Sequence, residues 1–125
     1  QNAPEIMSNT QVQTNQEKRL HILLNYMHSH YASHLSVAEI SAAANISESE
    51  CYRLFRHTIK TTPNRYLLSH RLRMAAQMLV ESDKTITQIT YDTGFSCPAY
   101  FAKKFKATFA KTPKVFRQAS RNNSA

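Results

Sequence analysis

Apolar residues recur along the chain at the three- and four-residue spacing of an amphipathic helix, and this pattern predicts an almost wholly helical protein. The spacing is clear in residues 17–31, where Leu, Met and Tyr side chains share one face. It returns in residues 63–82, which contain no glycine and no proline after the first position. We therefore predict an all-α fold of about seven helices. The predicted helices cover residues 17–31, 36–43, 47–58, 63–82, 85–92, 97–108 and 113–119.

Five of these helices begin at a local start signal. Thr62-Pro63 and Thr112-Pro113 each supply a capping hydroxyl followed by proline, whose fixed backbone angle suits the first helical position. Three other helices follow a Ser or Thr with Glu or Gln three residues later, the sequence signature of a capping box. The capping-box pairs are Ser36 with Glu39, Ser47 with Glu50, and Thr85 with Gln88.

The second half of the chain repeats the first. Asn45 matches Gly94 at an offset of 49 residues, and Phe55 matches Phe105 at an offset of 50. Each copy consists of a short helix, a tight turn and a longer helix, which is a helix-turn-helix motif. Asn and Gly are the residue types that most readily adopt the left-handed backbone such a turn needs.

These elements predict two helix-turn-helix subdomains joined by a long linking helix. The first residues are rich in Gln and Asn and lack apolar periodicity, so they predict a flexible linker or tail. The predicted segments are the flexible residues 1–16, a first subdomain at 17–62 with its turn near 44–47, a linking helix at 63–82, a second subdomain at 83–119 with its turn near 93–96, and a disordered tail at 120–125.

The charge of the chain narrows the choice of partner. Sixteen Lys and Arg residues against eight Asp and Glu give a formal net charge of +8, and twelve of the sixteen lie in residues 60–125. A surplus of this size favours a polyanion, nucleic acid before a membrane surface. The single glycine excludes Gly-rich phosphate loops and dinucleotide fingerprints. No apolar run approaches the length of a membrane span, so we expect no membrane partner.

The residues that could carry catalysis or hold a metal are few. Cys51 and Cys97 form neither a CxxC zinc site nor a disulfide framework, a pattern that suits a reducing, cytoplasmic compartment. His28, His30 and His34 are closely spaced, but the predicted first helix ends among them and no carboxylate or Cys completes a ligand set. We expect surface histidines, no metal, no cofactor and no catalytic residue.

The second helix of each copy has an apolar stripe and a polar face suited to the major groove. An arginine on that face can pair bidentately with guanine, whereas Arg56 and Lys106 are equally able to contact phosphates. The predicted inward stripes are Cys51, Leu54, Phe55 and Thr58 in the first copy and Phe101, Phe105 and Phe109 in the second. The predicted outward sets are Ser49, Tyr52, Arg53 and Arg56, and Ala99, Ala102, Lys103 and Lys106.

The segment "ITQITYDTGFSCPAYFAKKFKATFAKTPKVFR", with its TGF triplet, Tyr100-Phe101 pair and Phe116-Arg117 ending, resembles the DNA-binding domain of the AraC/XylS transcriptional regulators. The resemblance covers residues 20–118. It implies a bacterial, cytoplasmic transcription factor without enzymatic activity that binds promoter double-stranded DNA sequence-specifically. The recognition helices, about 47–58 and 97–108, would enter adjacent major-groove segments.

The resemblance also implies which side chains contact DNA. The family often has glycine where this chain has Lys60 and Ala110, and a lysine there could reach a phosphate. The implied base-reading residues are Ser49, Tyr52, Arg53, Ser96, Pro98, Ala99, Ala102 and Lys103. The implied phosphate-contacting residues are Ser36, Ser47, Arg56, Lys60, Thr85 and Lys106.

Further partners are implied as well. RNA polymerase is a candidate, and a small-molecule effector is expected only on a separate sensor domain that these residues do not include. The fragment has no evident dimer seam, so we expect it to be monomeric.

Two alternatives stay open from the sequence. The first is the DNA-targeting module of a DNA-repair alkyltransferase, whose chemistry needs an activated, exposed cysteine, whereas Cys51 is predicted to face inward. The second is a helical domain that binds nucleic acid without sequence preference, or that binds RNA or a protein through the same basic surface. A binding assay that shows no preference among sequences would favour it.

Overall fold

The computed structural model describes the backbone of residues 3–123 and the side chains of residues 14–123. Within these limits the chain forms seven α-helices and no β-strand, which confirms the all-α prediction. The helices are α1 (Ala3–His30), α2 (Val37–Ala43), α3 (Glu48–Ile59), α4 (Pro63–Glu81), α5 (Ile86–Asp92), α6 (Pro98–Phe109) and α7 (Pro113–Asn123).

The two terminal helices are longer than predicted. Helix α1 begins at Ala3, which corrects the predicted flexible segment at 1–16, and α7 continues to Asn123, which corrects the predicted tail at 120–125. Residues 1–2 and 124–125 lie outside the described residues. Neither extension carries an apolar stripe, so periodicity gives no signal there. An existing helix nevertheless extends easily, because each added residue gains one hydrogen bond without a new nucleation step.

The predicted helix starts are confirmed. In all three capping boxes the N-cap hydroxyl accepts the backbone N–H three residues on, and that residue's side chain accepts the N-cap N–H. The hydroxyls of Thr62 and Thr112 likewise accept the backbone N–H three residues on, at 3.2 Å in both cases. Helix α6 differs, because the side chain of its N-cap residue, Cys97, forms no capping hydrogen bond.

The described residues fold as two compact units, the first within 1–30 and 35–66 and the second within 31–34 and 67–125. Helix α4 therefore begins in the first unit and belongs to the second from Leu67 onward, whereas the sequence predicts a separate linking helix at 63–82. In the first unit, α1 packs against α2 and α3. Its buried apolar residues include Leu23, Met27, Val37, Ile40, Cys51, Leu54 and Phe55.

The second unit is built around phenylalanines of α6. Phe101 and Phe105 are fully buried, with ring centroids 5.7 Å apart, and Phe105 also meets Phe116 edge-on at 5.3 Å. The predicted inward stripe is thus confirmed for these two residues, while Phe109 is half-buried. In the first copy Thr58 is exposed rather than inward, and its hydroxyl donates to the Leu54 carbonyl oxygen. Helix α4 completes this core with Leu72, Ala75 and Leu79.

Both helix-turn-helix turns have the predicted left-handed residue. Asn45 has a φ of 56° and Gly94 a φ of 93°. Ser41 and Thr90, each four residues earlier, are buried, and their hydroxyls donate to the carbonyl oxygen of the preceding helical turn at 2.7 and 2.8 Å. Because each hydroxyl is satisfied within its own helix, the two helices of a motif can cross closely without a buried unpaired polar group.

Candidate nucleic-acid interface

Helix α3 presents the predicted reading residues of the first copy on one face. Its capping box begins the helix after Ser47, and the buried side chains of Cys51, Leu54 and Phe55 fix its rotation against the rest of the unit. At 100° per residue, four predicted DNA-contacting positions then cluster on the opposite side. These are Ser49, Arg53 and Arg56, which are exposed, and Tyr52, which is half-buried.

Helix α6 repeats this arrangement fifty residues later. Burial of Phe101 and Phe105 turns the four equivalent positions outward, and Ser96 and Pro98 are exposed at the start of the helix. The chemistry of the two faces differs, because α3 offers two arginines and a tyrosine, whereas α6 offers two lysines and two small alanines. The exposed α6 positions are Ala99, Ala102, Lys103 and Lys106.

The three helix N-caps in the predicted phosphate set are not equivalent. The backbone N–H and hydroxyl of Ser36 both donate to the Glu39 carboxylate, at 3.3 and 3.1 Å. Ser47 is held by Glu50 in the same way, at 3.4 and 3.2 Å. A phosphate at either serine would therefore have to displace that carboxylate. Thr85 would need no such displacement to contact a phosphate, since its cap partner is a neutral glutamine. Its hydroxyl proton has no acceptor in the described part of the chain.

The cations on the two recognition faces are available for an anionic partner. The ion pairs between described residues, Lys84–Asp92 at 2.8 Å and Arg121–Asp83 at 2.7 Å, use cations outside those faces. Lys60, the last cation of the predicted phosphate set, is exposed at the C-cap of α3, and its ammonium donates to a backbone carbonyl oxygen at 3.2 Å.

Other basic residues serve the fold, which sequence reasoning did not anticipate. Arg71 Nε donates to the Tyr31 carbonyl oxygen at 2.8 Å, and its Nη2 donates to the Ser33 carbonyl oxygen at 2.8 Å. Burial lowers the pKa of Arg71. Arg117 similarly donates to the carbonyl oxygens of Leu79 and Ser82. These partners are 35 to 40 residues apart in the chain, so no local sequence signal identifies them. Part of the basic surplus is therefore structural.

The setting of Cys51 is not that of the activated nucleophile that alkyl transfer requires. Burial raises the pKa of the Cys51 thiol; a hydrogen bond with Ser41 lowers it in part, and Glu48 raises it further. Reactive cysteines have the opposite setting, a lowered pKa in an accessible site. Cys97 is exposed at the N-cap of α6.

Two of the three closely spaced histidines, His28 and His30, have ordinary structural partners. His28 Nε2 lies 2.7 Å from the Tyr66 hydroxyl, and His30 Nδ1 donates to the Tyr26 carbonyl oxygen at 2.8 Å. No three His, Cys, Asp or Glu side chains converge as a metal site among the residues described. Nor does any described helix combine the length and apolar character that a bilayer-spanning segment requires.

Comparison with known proteins identifies a family and several relatives that this chain resembles in sequence. A family described as a helix-turn-helix domain matches residues 40–119. The HTH-type transcriptional regulator YdeC of Bacillus subtilis (strain 168) is 30% identical over 100 residues, which cover 80% of this chain and 34% of YdeC. The chain spans between 34% and 41% of the length of the first curated relatives it matches.

Solved structures show the same fold. A transcriptional regulator from Chromobacterium violaceum, described as containing an AraC-type DNA-binding domain, superposes with a TM-score of 0.80 at 29% identity, covering 83% of this chain and 93% of that one. The DNA-binding domain of the global transcriptional factor AdpA, solved with a target DNA, gives a TM-score of 0.77 at 23% identity. That match covers 81% of this chain and 91% of the AdpA chain, and it is a likeness of fold.

Proposed function

The chain belongs to the AraC-type helix-turn-helix family of transcriptional regulators, and from that premise we propose that it is the module with which a longer regulator reads its promoter. One observation carries the proposal. The same four positions face outward on α3 and α6, opposite a buried apolar stripe, and all are exposed except Tyr52, which is half-buried. Their cations form no ion pair with other described residues. Two such faces suit insertion into two segments of a major groove.

In this proposal the two faces read DNA differently. Arg53 pairs bidentately with a guanine, while Ser49 and Tyr52 contact neighbouring base edges. On α6 the small side chains of Ala99 and Ala102 let the helix approach thymine methyl groups closely. Ser96, Pro98 and Lys103 complete the second reading face.

Phosphate contacts fix the register of both helices without reading sequence. Arg56 and Lys60 at the end of α3, and Lys106 on α6, supply cations for this role. The N-caps Ser36, Ser47 and Thr85 add donors at helix N-termini, where the helix dipole favours an anion. Because residues 60–125 hold most of the positive charge, the second copy supplies most of the long-range attraction.

The proposal also covers the setting in which the module acts. We place it in the cytoplasm, where a bacterial chromosome lies, and assign it no catalytic role. RNA polymerase is its proposed further protein partner, and a small-molecule effector would bind a separate sensor domain. The isolated module is proposed to be monomeric, so that both reading helices come from one chain.

The experiment that tests this function is a selection from a random duplex DNA pool near physiological salt, followed by sequencing of the bound fraction. We expect enrichment of two short elements about one helical turn apart. A single enriched element would mean that one copy reads and the other anchors. Salt-sensitive binding without any enrichment would overturn the sequence-specific function and favour the nonspecific nucleic-acid-binding alternative.

A further inference from the structure

A cleft of about 430 Å³ lies between α1 and α3 in the first unit. Gln16 and Arg19 of α1 form one wall, and Glu50, Arg53 and His57 of α3 form the other. Of these five residues, only Arg53 belongs to the DNA-contacting sets predicted above. The cleft therefore adjoins the proposed reading face through one shared arginine.

The charges around this cleft favour an anion. Arg19 and Arg53 are both exposed, and neither forms an ion pair with another described residue. Glu50 is also on the wall, but its carboxylate already accepts hydrogen bonds from the backbone N–H and hydroxyl of Ser47. Arg19 and Arg53 thus line the same cleft, and the Glu50 carboxylate on its wall is already partly engaged.

The lining of the cleft strengthens this preference and indicates the kind of anion. Ile46 and Leu54 contribute apolar surface, which lowers the local dielectric and increases the attraction between a cation and an anion. The planar guanidinium group presents parallel N–H donors that match the oxygens of a phosphate. A phosphate group bound by Arg19, beside Arg53, is therefore the ligand that fits.

The place of the cleft on α3 identifies the source of that phosphate. A major groove about 12 Å wide holds a helix about 10–12 Å across, so side chains on the flank of an inserted helix lie against the DNA backbone. Residues 50, 53 and 57 form one flank of α3, next to the face formed by 49, 52 and 56. We infer that Arg19 binds a phosphodiester of the bound DNA next to the base contact of Arg53. Helix α1 is then a DNA-contacting element of the first unit. This inference rests on the proposed function.

The test compares Arg19→Ala with Lys18→Ala in the full 125-residue chain. Lys18 is a matched control, since it is the neighbouring exposed cation of α1 and lies beside Thr14, Glu17 and His21 rather than in the cleft. Binding to a duplex is measured at several salt concentrations. We expect Arg19→Ala to weaken binding equally on all sequences and to reduce the slope of log K against log salt by about one, with Lys18→Ala unchanged. Arg19→Lys should restore most of the slope.

Two outcomes would overturn the inference while leaving the proposed function intact. An unchanged slope for Arg19→Ala would show that Arg19 does not contact DNA. Equal losses of affinity in Arg19→Ala and Lys18→Ala would show that Arg19 contributes only net charge. A titration of the DNA-free chain with inorganic phosphate, followed by NMR, separates the two sources of phosphate. Saturable shifts of the cleft residues together with an unchanged DNA slope would make the cleft a site for a free anion instead. If the wild-type chain bound no duplex, the proposed function itself would fail.

Discussion

The guanidinium group of Arg71 occupies the space that a side chain on Gly94 would need. A β-carbon built on Gly94 would lie 2.7 Å from Arg71 Nε and 2.5 Å from the carbonyl oxygen of Tyr31, to which Arg71 Nε donates. The absence of a side chain at 94 therefore serves two purposes in the second unit. It permits a φ of 93° in the turn of the motif, and it leaves room for the arginine that satisfies two backbone carbonyls.

Gly94→Ala should lower the free energy of unfolding by about 2–4 kcal/mol, because the added methyl group introduces both left-handed strain and a clash with backbone. Asn45→Ala is the matched control at the equivalent turn. Asn45 already carries a β-carbon at a φ of 56°, so its replacement should cost about 1 kcal/mol or less. Urea denaturation followed by circular dichroism measures both changes. Equal losses would show that the contact with Arg71 and Tyr31 adds nothing to the strain.

The sequence predicts the helix starts of this fold well, because capping is a local interaction. Ser47 and Glu50 are three residues apart, so both halves of their capping box are visible in one short segment. The turn residues Asn45 and Gly94 are visible for the same reason, as residue types that tolerate a left-handed backbone. The faces of α3 and α6 follow from these starts, since burial of each apolar stripe fixes the helix rotation.

The sequence does not predict contacts between residues that are far apart in the chain. Arg71 and Tyr31 are 40 residues apart, and nothing in either neighbourhood shows that the arginine is structural rather than part of a DNA-binding surface. The position of Arg19 in the same cleft as Arg53 is hidden in the same way. Arg19 lies within the predicted first helix, but periodicity does not show which other helix its side chain approaches. Only the packing of α1 against α3 brings these two cations to one cleft.

Arg53→Ala should relax specificity at one base pair by about 1–3 kcal/mol, because a bidentate arginine–guanine pair discriminates among bases. Lys106→Ala provides the contrast on the other motif. A phosphate contact carries no sequence information, so this variant should weaken binding uniformly and reduce the salt slope by about one. Both variants are measured against the selected duplex and single-base substitutions of it. Uniform weakening by Arg53→Ala would place that residue on a phosphate.

Glu50→Gln should strengthen DNA binding by about two- to fivefold at low salt, because it removes a negative charge from the cleft that Arg19 and Arg53 line. Glutamine retains the capping box, so the stability of α3 should change little. Glu48→Gln is the matched control, since it removes the same charge from an exposed position on α3 that does not line the cleft. Affinities for one duplex, measured for both variants at two salt concentrations, decide the matter. A gain from Glu48→Gln as large as that from Glu50→Gln would contradict a local effect in the cleft.

Helices α3 and α6 both end in a left-handed residue that is not glycine. Lys60 has a φ of 57° and Ala110 a φ of 64°, the conformation in which glycine is usually preferred at a helix end. The backbone N–H of Ala110 donates to the Lys106 carbonyl oxygen at 2.8 Å. The last turn of α6 therefore keeps its capping hydrogen bond although Ala110 has a left-handed backbone. Ala110 is the cleaner position to test, because the Lys60 ammonium also donates to the His57 carbonyl oxygen.

Ala110→Gly should therefore raise the free energy of unfolding by about 0.5–1 kcal/mol. A left-handed conformation costs an L-residue about 1–2 kcal/mol, and the greater backbone freedom of glycine in the unfolded chain offsets about half of that gain. Ala107→Gly is the control, an exposed alanine in the right-handed interior of the same helix, and it should lose about 0.5–1 kcal/mol. Urea denaturation of the two variants should thus give shifts of opposite sign. A loss of stability in both would mean that the left-handed end of α6 carries no strain that glycine can relieve.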